Sequence, residues 1–235
     1  MQKSQRLRVH RDNRQLGPLS STDIDMKIDA VPPISLPEYI AAFSTSPLAR
    51  WADVLPWEMT QEAPAVVRKL LATLDFSEFN VSGEVAIHTS ATVEDGAIIK
   101  GPCILGAHCF VAAGAYIRGG NWVADHCTFG PGAELKSSFV FHGTKLAHFN
   151  FVGDSILGSD VNLEAGSIIC NYRNERENKK VQVQIGGRRY STACTKFGAL
   201  VGDHSRIGAN AVIAPGAILH SGFIARRASL FDSEV

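Results

Sequence analysis

The sequence has no excess of charge of either sign. Twenty-three Lys and Arg are balanced by 23 Asp and Glu, so it lacks the broad positive field behind non-specific binding to nucleic acid or anionic membranes. Neither nucleic acid nor a membrane is expected as a partner. Long apolar runs are missing as well: nothing approaches the roughly 18 residues of a membrane span. The N-terminal stretch MQKSQRLRVHRDNRQ is charged, with no apolar segment behind it, unlike a secretory signal. A soluble, cytoplasmic protein is expected. Five cysteines, an odd number without a CxxC pair, suggest neither a disulfide framework nor a zinc knuckle. With 45% hydrophobic residues over 235 positions, the chain can bury a real core in one large domain or two small ones.

What the chain has is a period of six. An aliphatic or aromatic residue recurs every six positions through Val81, Ile87, Val93, Ile99, Leu105, Val111, Ile117, Val123, Phe129 and Leu135. Two residues before most of these stands a small one, Ala91, Ala97, Cys103, Cys109, Ala115, Cys127 or Ala133, with Asn121 the exception. The same two columns return at Val201, Ile207, Ile213 and Leu219, preceded by Ala199, Ser205, Ala211 and Ala217. Between them Phe151, Leu157, Leu163 and Ile169 carry a shifted register. Six fits neither a 3.6-residue helix nor two-residue alternation, but it suits a coil with three straight faces per turn. Successive turns then stack as parallel strands about 4.8 Å apart. This hexapeptide repeat predicts a left-handed parallel β-helix over residues 81–229, with residues 230–235 as a tail.

Residues 1–80 lack the repeat and are expected to form a small mixed or helical cap packed on the open first coil. Alternation over 21–31 suggests a short strand, PEYIAAF (37–43) a short helix, and Thr60 an N-cap for a second helix presenting Val67, Leu70, Leu71 and Leu74 on one face. Cys109 and Cys127, 18 apart in the small column, stack too far apart for a disulfide and are expected as reduced packing thiols. His108, His126 and His204 each follow a core position by three residues and read as corner residues. No metal is expected.

Two irregularities point to a site. The ladder breaks between Leu135 and Phe151, the stretch 145–155 containing His148, and segment 171–197 is polar and basic without rungs, reading as a loop thrown out from the prism. Loops on a rigid scaffold often carry substrate groups.

Around these irregularities the chain resembles a known family in AYIRGG (115–120), PGAELKSS (131–138), KLAHFNFVGDSILG (145–158), DVNLEAGSIICNYR (160–173) and TKFGALVGDHSRIGANAVIAPGA (195–217). The family is the acetyltransferase half of the bifunctional N-acetylglucosamine-1-phosphate uridylyltransferases/glucosamine-1-phosphate acetyltransferases, with their archaeal-type sugar-phosphate nucleotidylyltransferase relatives. The resemblance implies a homotrimer whose sites lie between neighbouring prisms, binding a sugar phosphate from one side and acetyl-CoA from the other. It makes His148 the general base for the sugar amine, a role suited to imidazole near neutral pH. It assigns Arg118, Lys136 and Lys196 to the sugar phosphate, Asn162 and Asn171 to the sugar, and Tyr172 and Ala165 to the pantetheine arm. Phe151 replaces a tyrosine that contacts the sugar phosphate. Ala209 replaces a serine near acetyl-CoA, Glu164 replaces a glycine, and Arg226 with Arg227 stands in for a missing C-terminal arm at the CoA phosphates. Residues 1–80 show no Gly-rich phosphate loop, so pyrophosphorylase activity is not expected. An acyl-CoA-dependent N-acetyltransferase is the leading reading; a non-catalytic trimeric module that binds sugar phosphates or sugar nucleotides is the alternative.

Overall fold

The computed structural model describes residues 31–234. Three sheets, each with seven parallel strands, form the walls of a left-handed β-helix. On the first face Ile87, Leu105, Val123, Val140, Leu157, Val201 and Leu219 stand in register. On the second stand Val93, Val111, Phe129, Leu146, Leu163, Ile207 and Ala225. The third holds Ile99, Ile117, Leu135, Val152, Ile169, Ile213 and Phe231. From Leu105 to Ile213 these rungs are buried, each contributing about 1.5–3 kcal/mol by leaving water. Cys109 and Cys127 are free and buried in the small column.

The ends of the coil differ from the sequence reading. Val81 is 45% exposed; it lies on Phe79–Ser82, which pairs antiparallel with Val85–His88 and covers the edge of the first face, where unpaired backbone would otherwise recruit another strand. At the far end Leu230–Phe231 pairs with Val212–Ile213, so the stretch read as a tail contains the last rung.

The shifted register arises because two corners are one residue short, Leu135 to Val140 and Val152 to Leu157. The buried rung is therefore Val152, while Phe151 is turned outward and half-buried. At each short corner a non-glycine residue takes left-handed backbone, Ser137 at φ 47° and Asp154 at φ 48°, which costs roughly 1–2 kcal/mol. A buried polar column offsets this. Ser138 N–H donates to Asn121 Oδ1 at 2.9 Å, Ser155 N–H to Ser138 Oγ at 3.1 Å, and Ala199 N–H to Ser155 Oγ at 3.1 Å. Asn121, the exception among the small residues, starts that column.

The described part of the N-terminal region, from residue 31, packs beside the coil. It lies along the outer surface of the first face, where Phe43, Leu48 and Trp57 join Ile104, Trp122, Phe139, Ile156 and Leu200 in a second core. Asp203 ties the two together: its carboxylate accepts the Ala41 N–H at 2.9 Å and the Ser159 N–H at 2.7 Å. The strand expected over 21–31 lies, but for its last residue, outside the described residues. The helix expected over 37–43 is a single turn, Leu36–Tyr39, followed by a 3-10 turn, Ala41–Thr45. Thr60 caps nothing; it is buried within helix Pro56–Gln61 and donates to the Trp57 carbonyl. Pro64 instead occupies the first turn of the next helix, Ala63–Leu71, where its missing N–H costs no hydrogen bond. Val67 and Leu70 are buried on that helix and Leu71 is half-buried, but Leu74 lies past its end.

Segment 171–197 is also not a free loop. It forms an antiparallel hairpin, Gln182–Ile185 with Arg188–Ser191, whose flanking Val181, Val183 and Phe197 are buried in the second core, Phe197 meeting Trp57 edge-on. Its base is held by Arg173, which is 2% exposed. The guanidinium donates to both Asp232 oxygens at 2.6 and 2.8 Å and to the Pro215 carbonyl at 2.9 Å, with Glu234 at 2.9 Å. Removing it strands buried carboxylates, so Arg173→Ala should cost about 3–5 kcal/mol in a urea titration. Arg173 holds the Asp232 carboxyl below the usual aspartate range. Its contribution is complete above that range and lost as pH falls through the depressed folded value, so the gap between wild type and Arg173→Ala should narrow on acidification.

Candidate functional site

The expected site residues lie along two edges of the prism. At the corner between the second and third faces, one backbone bond per coil stacks Pro131, His148, Ala165, Ala209 and Arg227, the donor in each case being the residue after the stacked one: Phe149 N–H to Pro131 O at 3.0 Å, Gly166 N–H to His148 O at 2.8 Å, Asn210 N–H to Ala165 O at 3.0 Å, and Ala228 N–H to Ala209 O at 2.8 Å. His148 is exposed here. Its own N–H donates to Oδ1 of Asn150 at 3.0 Å, and that buried amide in turn donates to the Glu164 carbonyl at 2.8 Å and to Ser167 Oγ at 3.0 Å. The coil below fits only because residue 130 is glycine: a Cβ there would stand 1.6 Å from the Ala147 carbonyl oxygen. Phe149, the next residue, is left-handed at φ 51° and 72% exposed, its ring lying over Gly132. Sequence reasoning passed over it, although a bulky residue in that conformation marks a constrained site.

At the corner between the third and first faces an open pocket of about 500 Å³ gathers Arg118, Lys136, Phe151, Asn171, Tyr172 and Lys196. Five of these are the residues expected to hold a sugar phosphate or its sugar. Tyr172, expected on the pantetheine arm, lies with them rather than with Ala165 and Ala209. Asn162, expected beside Asn171, is on the second face between Lys145 and Arg206. It lines a separate pocket of about 420 Å³ with Glu164, Arg206, Ile224, Arg226 and Arg227. His148 lines neither pocket; it stands on the edge between the faces that carry them.

The cations of the first pocket are already partnered. Lys136 Nζ lies 2.9 Å from both oxygens of Asp154, a carboxylate whose side chain is 8% exposed and which also accepts from Asn171 Nδ2. Arg118 pairs with Glu134 at 3.0 Å. Lys196 is exposed and makes no ion pair among the described residues. Sequence reasoning named neither Asp154 nor Glu134, though Asp154 falls in the break of the ladder. In the second pocket Glu164 accepts from Arg227 Nε and Nη2, both at 2.8 Å, and from the Ala209 N–H at 2.9 Å. Those donors hold its carboxyl below the usual glutamate range. Cys170, next to Asn171, has its thiol pushed up by burial, as expected of a packing residue rather than a nucleophile. His108 and His126 stack with centroids 4.9 Å apart at left-handed corners, and no group of His, Cys, Asp and Glu suited to a metal ion is present among the described residues.

No family model matches the chain. A bifunctional sugar-1-phosphate nucleotidylyltransferase/acetyltransferase of Sulfurisphaera tokodaii is 32% identical over 175 residues, which cover 71% of this chain and 42% of that protein. The bifunctional protein GlmU of Methanococcus maripaludis is 31% identical over 192 residues, 79% of this chain and 45% of that one. The chain is a homologue of these bifunctional enzymes. It spans about half the length of the curated relatives it matches, consistent with their acetyltransferase half alone. Among solved structures, the N-acyltransferase AntD of Bacillus cereus, in complex with dTDP and coenzyme A, overlaps 65% of this chain and 79% of its own at 10% identity, with a TM-score of 0.30. That superposition is too loose to carry a function. No helix among the described residues is long and apolar enough to cross a membrane.

The two ion pairs of the first pocket differ in burial, and their removal should differ accordingly. Asp154→Ala strands Lys136 and is expected to cost about 3 kcal/mol of folding stability. Glu134→Ala, at a pair 42% and 32% exposed, should cost less than about 1 kcal/mol in the same denaturation series.

Proposed function

We propose that the chain is an acyl-CoA-dependent N-acetyltransferase acting on an amino-sugar phosphate, of the glucosamine 1-phosphate kind, or on an amino-sugar nucleotide. The observation that carries this is the first pocket, which draws Arg118, Lys136, Phe151, Asn171 and Lys196 from five separate stretches of chain to one corner. Planar and point cations beside an amide and an aromatic ring suit a phosphorylated sugar. In this reading the imidazole of His148 takes a proton from the sugar ammonium, and the freed amine attacks the thioester carbonyl. The tetrahedral oxyanion collapses with cleavage of the C–S bond, and the second nitrogen proton passes to the leaving thiolate, giving the amide and coenzyme A.

His148 and the two pockets lie on different parts of one prism, so a complete site needs a neighbouring chain. The first face is occupied by the protein's own N-terminal segment and hairpin, which leaves the second and third faces. A cyclic oligomer uses two different patches per subunit, and a homotrimer pairing one prism's third face with the next prism's second face brings the sugar pocket toward Ala165, Ala209 and Arg226 as the acetyl-CoA side. The alternative, a trimeric binding module without turnover, is favoured by one observation: Asp154 and Glu134 already neutralise two of the three pocket cations.

Coenzyme A release from acetyl-CoA in the presence of a panel of amino sugars and amino-sugar phosphates separates the two. Turnover that falls at least about 100-fold in His148→Ala supports the transferase and its base. Saturable sugar-phosphate binding without release of coenzyme A for any amine supports the module. Phe151→Tyr restores a hydroxyl in the pocket. With a sugar 1-phosphate as ligand, calorimetric affinity for glucosamine 1-phosphate should rise roughly 10-fold or more; a fall would mean the pocket is shaped for another acceptor.

A further inference from the structure

The second pocket holds three guanidinium groups, Arg206, Arg226 and Arg227, and one carboxylate, Glu164. That carboxylate does not sit at the rim as a screening charge. It spans the fork of Arg227 with both oxygens at 2.8 Å, and one oxygen also takes the Ala209 N–H at 2.9 Å. An arginine fork together with a backbone N–H is the donor set that grips a phosphate. The Arg227 side chain is 75% exposed and that of Glu164 35% exposed, so the pair is held in high dielectric and is weakly bound. A dianionic phosphate, with Arg206 and Arg226 lining the same cavity, has both the charge and the neighbours to replace it.

We propose that Glu164 is an internal anion that occupies the phosphate-gripping donors of Arg227 and Ala209 in the empty pocket, and that a phosphate group of coenzyme A must displace it on binding. Glu164 is then a specificity residue. It lowers affinity for every phosphate-bearing ligand, whose charge must displace it, and leaves phosphate-free ones unaffected. The choice of coenzyme A as the source of the phosphate rests on the transferase reading; the displacement itself does not.

The experiment is calorimetric titration of the full chain at low salt with coenzyme A, with pantetheine, which lacks phosphate, and with inorganic pyrophosphate. Glu164→Gln keeps the side-chain shape and removes the competing charge. It should tighten coenzyme A and pyrophosphate by about three- to fivefold and leave pantetheine unchanged. In an Arg227→Ala background that gain should vanish, because the grip the carboxylate competes for is gone. Circular dichroism of each variant verifies that the coil is intact. If coenzyme A binds wild type and Glu164→Gln weakens it or leaves it unchanged, the carboxylate is part of the scaffold and the proposal fails while the transferase reading stands. A gain with pyrophosphate alone, coenzyme A binding neither form, keeps the displacement and removes the transferase reading. Absence of binding by either phosphate probe to every form shows that the pocket is not an anion site and overturns the proposal.

Discussion

The spacing of one coil from the next, set by backbone hydrogen bonds between parallel strands at about 4.8 Å, governs everything else in this protein. At that pitch each residue position becomes a column, and a column tolerates only side chains that fit above and below their own kind. Large aliphatic groups fill the prism, small ones line the position two residues earlier, and corners where a Cβ would strike the next coil are glycine, as at Gly130. The pitch also explains why shortened corners need polar residues. With one residue fewer to make the turn, the backbone N–H groups of Ser138, Ser155 and Ala199 bond to side chains of the Asn121, Ser138 and Ser155 column, because a buried donor without a partner costs about 1–3 kcal/mol.

The same spacing acts on charge. Groups stacked one coil apart are within reach of each other, so like charges in a column would repel and opposite charges bind. Lys136 accordingly meets Asp154 and Arg118 meets Glu134 one coil away, while the longer Arg227 side chain reaches Glu164 across two coils. Arg118, Lys136 and Arg227 are therefore positioned by carboxylates before any ligand arrives. They present a defined geometry but a modest net field, in keeping with a chain of zero formal charge. Recognition built this way depends on shape and hydrogen-bond direction more than on long-range attraction, since exposed charges beyond about 10 Å are screened in salt.

The fold was legible because burial in a stacked coil forces residue type at fixed intervals, and the six-residue ladder is that force seen in sequence. It misled only where geometry changes without changing composition. Phe151 and Val152 are both apolar neighbours, so nothing in the letters says which faces inward; the one-residue deletion at the corner decides it. Val81 keeps the period but belongs to an antiparallel edge strand, because hydrophobic spacing does not encode strand direction. The cap's position was not legible for a different reason: Ile104, Trp122, Phe139 and Leu200 alternate outward on the first face, and any apolar partner would have satisfied them. Of the site, five of the residues expected to hold a sugar phosphate or its sugar share one pocket, whereas Asp154 and Glu134 were missed, since ion-pair partners across coils are close in space and 16 or 18 residues away in sequence. Asn162 lies outside that pocket, on the second face, because a sequence match carries no information about which of three walls a residue occupies.

The location of the excursion at 171–197 follows from the coil as well. A chain that leaves a rigid helix must return at the same corner one coil later, so the residues at its exit and re-entry are brought together whatever lies between. Here Phe197 N–H returns to the Asn171 carbonyl at 3.1 Å and Gly198 N–H to the Asp154 carbonyl at 2.9 Å, which delivers Asn171, Tyr172 and Lys196 to one pocket wall. The exit direction is held by Arg173, whose partner Asp232 lies 59 residues on, just past the last rung. Closure of the C-terminal coil and alignment of the first pocket thus share one ion pair. A lesion in the last coil, remote from the pocket in sequence, reaches it through the single residue that separates Arg173 from Asn171.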